Sequence, residues 1–153
     1  TLIPVSKAAG ACVLPDEITS PLIFIVGGTG FSAAQALLQS ALFTKKTTQP
    51  ITLCWGIREL SDFYAEAEIN HWLATYSNVH FQGYLSESQE QHPQFSLGYP
   101  FQDLETLLSE KSHEAILELY VFGPPTLVKA TWQHLSKHAD LNKIHFHADF
   151  PAN

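Results

Sequence analysis

Residues 21–38 read PLIFIVGGTGFSAAQALL, and their order decides the fold. Leu22, Ile23, Phe24, Ile25 and Val26 are five apolar residues in a row, too few for a free-standing helix and rich in β-branched side chains. They predict a strand buried on both faces. A glycine cluster follows: Gly27, Gly28 and Gly30 lack the Cβ that would block positive φ or close approach by another molecule, and Thr29 between them offers a hydroxyl. Residues 31–43 then run as Ala, Gln and Leu, with Ala34, Leu37, Leu38, Ala41 and Leu42 at helical spacing. Strand, glycine turn and helix form the order of a phosphate-binding βα unit. The first amides of such a helix point at the turn, and the positive end of its dipole favours an anion there.

The pattern repeats outward from this unit. Residues 51–57, ITLCWGI, predict a second buried strand closed by Arg58, Glu59, Leu60, Ser61 and Asp62. Ser61 is a candidate N-cap for a helix over residues 62–76, with Phe63, Ala67, Trp72 and Leu73 near one face and Asp62, Glu66 and Glu68 toward its N-terminal end. Residues 78–84, NVHFQGY, are a third, less apolar strand placed near a sheet edge, followed by a long polar loop over residues 85–100. A short helix over residues 101–108 turns Phe101, Leu104, Leu107 and Leu108 inward, and residues 115–122, AILELYVF, are the fourth strand. Gly123, Pro124 and Pro125 follow, the prolines tolerable only at a turn and in a helix's first turn. Residues 126–138 predict a helix and residues 143–147 a fifth strand.

Alternating βα units imply an α/β fold: a Rossmann-like five-stranded parallel sheet, order 3-2-1-4-5, with right-handed crossovers and helices on both faces. In such a sheet the ligand sits beyond the carboxyl ends of the strands where strand order reverses, here between the first and fourth strands. Both of those strands end in glycine turns, residues 27–30 on one side and residues 123–125 on the other.

Length and charge narrow the function. A chain of 153 residues, 45% hydrophobic, holds one domain with a full core and is too short for two. A formal net charge of −7 argues against nucleic acid as a partner, because that binding draws on Lys and Arg neutralising phosphates. A dinucleotide needs only a helix N-terminus and one or two local cations. No apolar run reaches the length of a membrane span and no signal peptide is evident, so no membrane partner and a cytoplasmic location are expected. Cys12 and Cys54 form no CxxC motif, and Cys54 reads as a reduced core thiol. His134 and His138 lie one helical turn apart and His145 and His147 share a strand face, but neither pair has a clear third ligand beyond Asp149, so no metal site is expected. The tryptophans Trp55, Trp72 and Trp132 are expected to pack in the core or on a helix face.

Gly27, Gly30 and Ala33 also satisfy the GxxGxxA spacing of short-chain dehydrogenases. That family requires a Tyr-x-x-x-Lys pair, and Tyr64, Tyr76, Tyr84, Tyr99 and Tyr120 are followed four residues later by Glu, His, Ser, Asp and Pro. The ordered set that remains is GGTGFS at residues 27–32, WGIRELSDFY at 55–64, YVFGPPTLV at 120–128 and HADF at 147–150. It resembles the nicotinamide-binding half of the ferredoxin-NADP reductase superfamily, and is most similar to the NAD(P)H:flavin reductases, over residues 21–150.

The resemblance implies a role for each segment. Gly27, Gly28, Thr29 and Gly30, with Phe31 opening the helix, would take the pyrophosphate and approach the nicotinamide of NADH or NADPH. Arg58 stands where the family contacts the adenosine ribose or its extra phosphate, and Ser86 with Glu87 would belong to the adenine side. Gly123 and Pro124 would border the nicotinamide, and Phe150 would lie near the flavin ring. Two positions depart from the family: Phe122 stands where many relatives have cysteine, and residues 94–100 lack the Trp and Arg many relatives carry.

The family binds FAD or FMN on a separate N-terminal β-barrel through an Arg-x-Tyr-Ser-type stretch, whereas Arg58 is the only arginine here. Residues 1–20 are therefore expected to be a remnant of a preceding flavin-binding barrel plus linker, with the NAD(P)-binding domain spanning 21–153. The absence of methionine and the start at Thr1 fit a processed piece. The implied activity is hydride transfer from nicotinamide to flavin, with the flavin-binding domain of the same protein as partner, no catalytic acid or base, and weak nucleotide binding without turnover in the chain alone. A non-catalytic nucleotide-binding or protein-docking module of the same fold is the first alternative, and a short-chain dehydrogenase-like enzyme a second, less favoured one.

Overall fold

The computed structural model describes residues 13–111, 116–138 and 141–148. Leu22–Gly27 forms β1, Ile51–Ile57 β2, Val79–Leu85 β3, Phe95–Leu97 β4, Leu117–Phe122 β5 and Ile144–Ala148 β6. All pairings are parallel and the order is β4-β3-β2-β1-β5-β6. The helices are α1 (Phe31–Gln39), α2 (Glu66–Thr75), α3 (Leu104–Lys111) and α4 (Pro125–His138).

Side-chain alternation sorts the core into two layers. Leu22, Phe24 and Val26 join Tyr120 and Phe122 on one face, covered by Phe31, Ala34 and Leu38 of α1 and by Ile69 and Trp72 of α2. Ile23 and Ile25 join Leu119, Val121 and Phe146 on the other face, under Leu104 of α3 and Val128 and Leu135 of α4. The central strands bury both faces, which is why they read as continuous apolar runs rather than as alternation.

The sheet has six strands, not the five expected. The extra one, β4, comes from the middle of the predicted loop and pairs Gly83 with Phe95, Tyr84 with Ser96 and Leu85 with Leu97. Three residues, none of them buried, carry no readable alternation. The strand forms because β3 leaves an edge free and Gly83 leaves room: a Cβ there would sit 2.4 Å from the Phe95 ring. The predicted order of the other five strands holds.

The second helix also differs. Residues 60–62 form a 3₁₀ turn, Leu60–Asp62, and α2 begins only at Glu66. Ser61 does not cap it; its hydroxyl donates to Glu59 Oε1 at 2.9 Å, and Ala65 holds the cap position. Phe63 is extended rather than helical because its ring packs against Trp55, Phe81 and Phe95. The inward face is thereby Ile69, Trp72 and partly Leu73, with Ala67 exposed. The first helix ends in a π-helical turn, Ser40–Thr44, that still buries Ala41 and Leu42. In the short helix, Phe101 precedes α3 but packs inward beside Leu104, Leu107 and Leu108 as expected. No described helix is long and apolar enough to cross a membrane.

Candidate functional site

β1 delivers the chain to the site at Gly27, still extended at φ −119°. Gly28 then turns to φ +55°, a left-handed conformation that favours glycine, and Gly28–Gly30 form a 3₁₀ turn running into α1. Gly30 is required for a different reason. A Cβ on it would lie 2.5 Å from the Phe122 carbonyl oxygen and 3.0 Å from the Gly123 amide nitrogen.

The opposite turn is built the same way. Gly123 has φ +156°, and a Cβ there would meet Leu127 Cδ2 at 2.8 Å and the Gly27 backbone at 3.3 Å. The two glycine turns therefore touch backbone to backbone at the carboxyl ends of β1 and β5. Pro125 opens α4 as a first-turn proline, and the Pro124 carbonyl accepts the Leu127 amide at 2.9 Å. The third wall comes from β2, where Gly56 admits Pro100: a Cβ on Gly56 would meet Pro100 Cδ at 2.5 Å.

These walls enclose an open cleft of about 1150 Å³. Of the residues expected from sequence, Gly27, Gly28, Thr29, Gly30, Arg58, Ser86, Gly123 and Pro124 all line it. Ser86 arrives beside Arg58 because pairing continues past the strand ends: Ser86 N–H donates to the Ile57 carbonyl and Glu87 N–H to the Arg58 carbonyl, both at 3.0 Å. Glu87 itself is exposed and does not line the cleft. Phe31 is not on the wall either. It is 1% exposed and stacks on Trp55 at 4.5 Å, so its side chain belongs to the core. Phe150 lies outside the described residues, as do Cys12 and Asp149.

Arg58 and Asp62 are the charged side chains of the lining. Arg58 is exposed and makes no ion pair among the described residues, so its guanidinium is available to a ligand. Sequence reasoning did not single out Tyr64, Tyr99 or Pro100, which also line the cleft. Tyr64 is 58% exposed yet sets its ring edge-on to Trp55 at 5.2 Å. Its signal was its place inside the WGIRELSDFY segment; Tyr99 and Pro100 sat in a loop whose course only β4 and Gly56 determine.

The other titratable groups lie elsewhere. Cys54 is buried in the sheet, and burial pushes its thiol up to about 12, which keeps it protonated. Glu118, near the opposite end of β5, accepts from His145 Nδ1 and His147 Nε2, each at 2.7 Å. Burial raises its carboxyl, but the two imidazole hydrogen bonds and their charges outweigh this and hold it below its ordinary value. Among the described residues no group of His, Cys, Asp or Glu is arranged to hold a metal ion.

Comparison with known proteins adds four observations. Residues 24–133 match the family model of the oxidoreductase NAD-binding domain. The chain is 30% identical to a probable flavin reductase of Photobacterium leiognathi over 115 residues, 75% of this chain and 47% of the relative. It is 34% identical to an NAD(P)H-flavin reductase of Vibrio harveyi over 86 residues, 56% of this chain and 36% of the relative. The chain thus spans about half or less of the length of these relatives. A cytochrome P450 reductase of Amycolatopsis shares the fold with a TM-score of 0.70 at 22% identity, covering 92% of this chain and 41% of that one.

Proposed function

The chain belongs to the oxidoreductase NAD-binding domain family, and we propose that it is the nicotinamide-nucleotide half of a flavin-linked oxidoreductase. When bound, the dinucleotide supplies a hydride and an FAD or FMN on a separate domain of the same protein accepts it. The carrying observation is the backbone contact between the Gly27–Gly30 turn and the Gly123 turn at the carboxyl ends of β1 and β5, the crevice where open α/β sheets bind ligands.

The residues of the cleft fit the pyrophosphate and both ends of a dinucleotide. The glycine turn clears side chains from the approach, and the amides at the start of α1 with the helix dipole favour the pyrophosphate. Arg58 and Ser86 serve the adenosine end. Gly123 and Pro124 border the nicotinamide, their lack of bulk leaving one face of its ring open to the flavin. Phe150, beyond the described residues, belongs by the same reading to the flavin side. No acid or base is required of the protein, whose part is orientation and exclusion of water. The names of the relatives, probable flavin reductase and NAD(P)H-flavin reductase, support this assignment.

Of the two coenzymes NADH is favoured: among the described residues Arg58 is the one cation of the lining, which also carries the carboxylate of Asp62, and no second cation is there to share an extra ribose phosphate. Titration of the intact protein with NADH and NADPH, followed by NMR and by stopped-flow absorbance of the flavin, tests the reading. Expected are shifts at Gly27–Gly30 and Gly123, tighter binding of NADH, and flavin reduction. Absence of binding refutes the assignment; binding without flavin reduction favours a nucleotide-binding module that has lost hydride transfer.

A further inference from the structure

Trp55 is 0% exposed and does not line the cleft, yet its indole Nε1–H donates to the carbonyl oxygen of Gly28 at 2.9 Å. It is a cross-link between the end of β2 and the glycine turn after β1. The Gly28 carbonyl and the Thr29 amide N–H belong to one planar peptide unit, and no described peptide bond is cis. In a trans unit these two groups point in opposite directions. Holding the carbonyl inward against Trp55 therefore turns the Thr29 N–H outward, on the side where Thr29 lines the cleft.

Besides the 3₁₀ turn in which it lies, no side-chain packing at Gly28 holds this orientation. A Cβ built on it meets nothing within 4 Å, and glycine at φ +55° tolerates rotation of the flanking peptide. Rotation of that one unit would present a carbonyl oxygen to the cleft where an anion needs a donor. The indole is itself held against motion, stacked on Phe31 at 4.5 Å and met edge-on by Phe63 at 5.4 Å and Tyr64 at 5.2 Å.

We propose that Trp55 is a positioning residue for anion binding, its indole N–H pinning the Gly28 carbonyl inward and so keeping the Thr29 amide N–H aimed at the pyrophosphate. The proposal rests on the nucleotide reading of the cleft. It adds that the second βα unit, through a side chain the ligand never touches, sets the donor geometry of the first.

The experiment compares the intact wild-type protein with Trp55→Phe, which keeps an aromatic ring and removes the donor, and with Phe63→Leu, which loosens the same indole without contacting Gly28. The probes are NADH, ADP and adenosine, measured by calorimetry with competition for weak binders. Trp55→Phe is expected to weaken NADH and ADP alike by about five- to tenfold, the worth of one neutral hydrogen bond, and to leave adenosine unchanged. Phe63→Leu, which keeps the Trp55 donor, is expected to lower thermal stability and to weaken NADH and ADP by less than Trp55→Phe does. Equal loss for adenosine, or wild-type affinity of Trp55→Phe for NADH, overturns the role of Trp55 while the nucleotide reading stands. A wild-type protein that binds neither NADH nor ADP overturns both. A readout independent of the variants is hydrogen exchange of the Trp55 indole N–H in the wild type: it should slow when ADP binds but not when adenosine binds, and an unchanged rate counts against the proposal.

Discussion

Gly28 and Gly30 stand two residues apart and are glycine for different reasons, so their substitutions separate conformation from contact. At Gly28 the space is open and only the left-handed φ resists a side chain, so Gly28→Ala should cost roughly 1 to 2 kcal/mol of stability. At Gly30 φ is ordinary, but the added Cβ would press on the Phe122 carbonyl at 2.5 Å, a backbone atom that yields only if β5 shifts. Gly30→Ala should therefore be the more damaging in chemical denaturation, and it should open the contact between the two glycine turns. Arg58 gives the converse case. Exposed and without an ion pair among the described residues, it contributes little to folding, so Arg58→Ala should leave the unfolding midpoint unchanged. It should weaken NADH binding by about tenfold, the lower end of the range for a charge-assisted hydrogen bond. Unchanged affinity in the same titration would remove Arg58 from the site.

Among the elements, β4 is the one that depends most on a single side chain, Phe95. Phe95 sits over Gly83 and against Phe63 and Phe81, and the strand it begins carries the chain to Gly98 and Pro100 on the cleft wall. Phe95→Ala should cost about 2 kcal/mol, less than a fully buried Phe because the ring is only half-buried. Hydrogen exchange should show loss of protection at the Gly98 amide, which donates to the Leu85 carbonyl at 2.8 Å. Nucleotide affinity should fall with it, since Pro100 fills the space left by Gly56. If exchange at Gly98 is unchanged in the variant, β4 is held by its ladder rather than by Phe95. The entry to α2 shows the same priority of packing over local preference: Ser61 and Asp62 are good helix starters, but Phe63 has more to gain in the aromatic cluster than a first helical turn offers.

At the scale of the molecule, the two ends of the sheet are electrostatically distinct. The cleft end presents Arg58, without an ion pair among the described residues, while toward the other end Glu118 is buried between His145 and His147. A carboxyl whose folded value lies below its unfolded one stabilises the fold above the unfolded value, and that stabilisation is lost as pH falls through the folded value. Glu118 is in this class, its ordinary value being 4.5. Wild type should thus be more stable than Glu118→Gln at neutral pH, and the gap should close as pH is lowered below 4.5 in thermal melts. A gap that is constant with pH would mean that packing, not charge, accounts for the difference. His147 also stacks on Tyr120 at 4.5 Å, and Tyr120 donates to the Val13 carbonyl at 2.9 Å, so β6 and the segment entering β1 are coupled through one ring.

The amino-acid sequence by itself determined the βα order, the parallel sheet with five of its strands in place, and both glycine turns. These rest on local chemistry: continuous apolar runs for strands buried on both faces, glycine where φ or close approach demands it, proline where a helix begins. It also determined eight of the ten expected nucleotide contacts as members of one cleft, because strand ends in a parallel sheet converge by topology. What only the tertiary structure decided is whatever depends on a partner distant in the chain. A three-residue strand exists because Gly83 has room for Phe95, and a helix starts late because Phe63 is drawn to Trp55. Phe31 turns inward because that same indole stacks on it, and the Gly28 carbonyl faces β2 because Trp55, 27 residues further on, donates to it. Local propensity is too weak to specify such choices, and long-range packing and one directional hydrogen bond settle them.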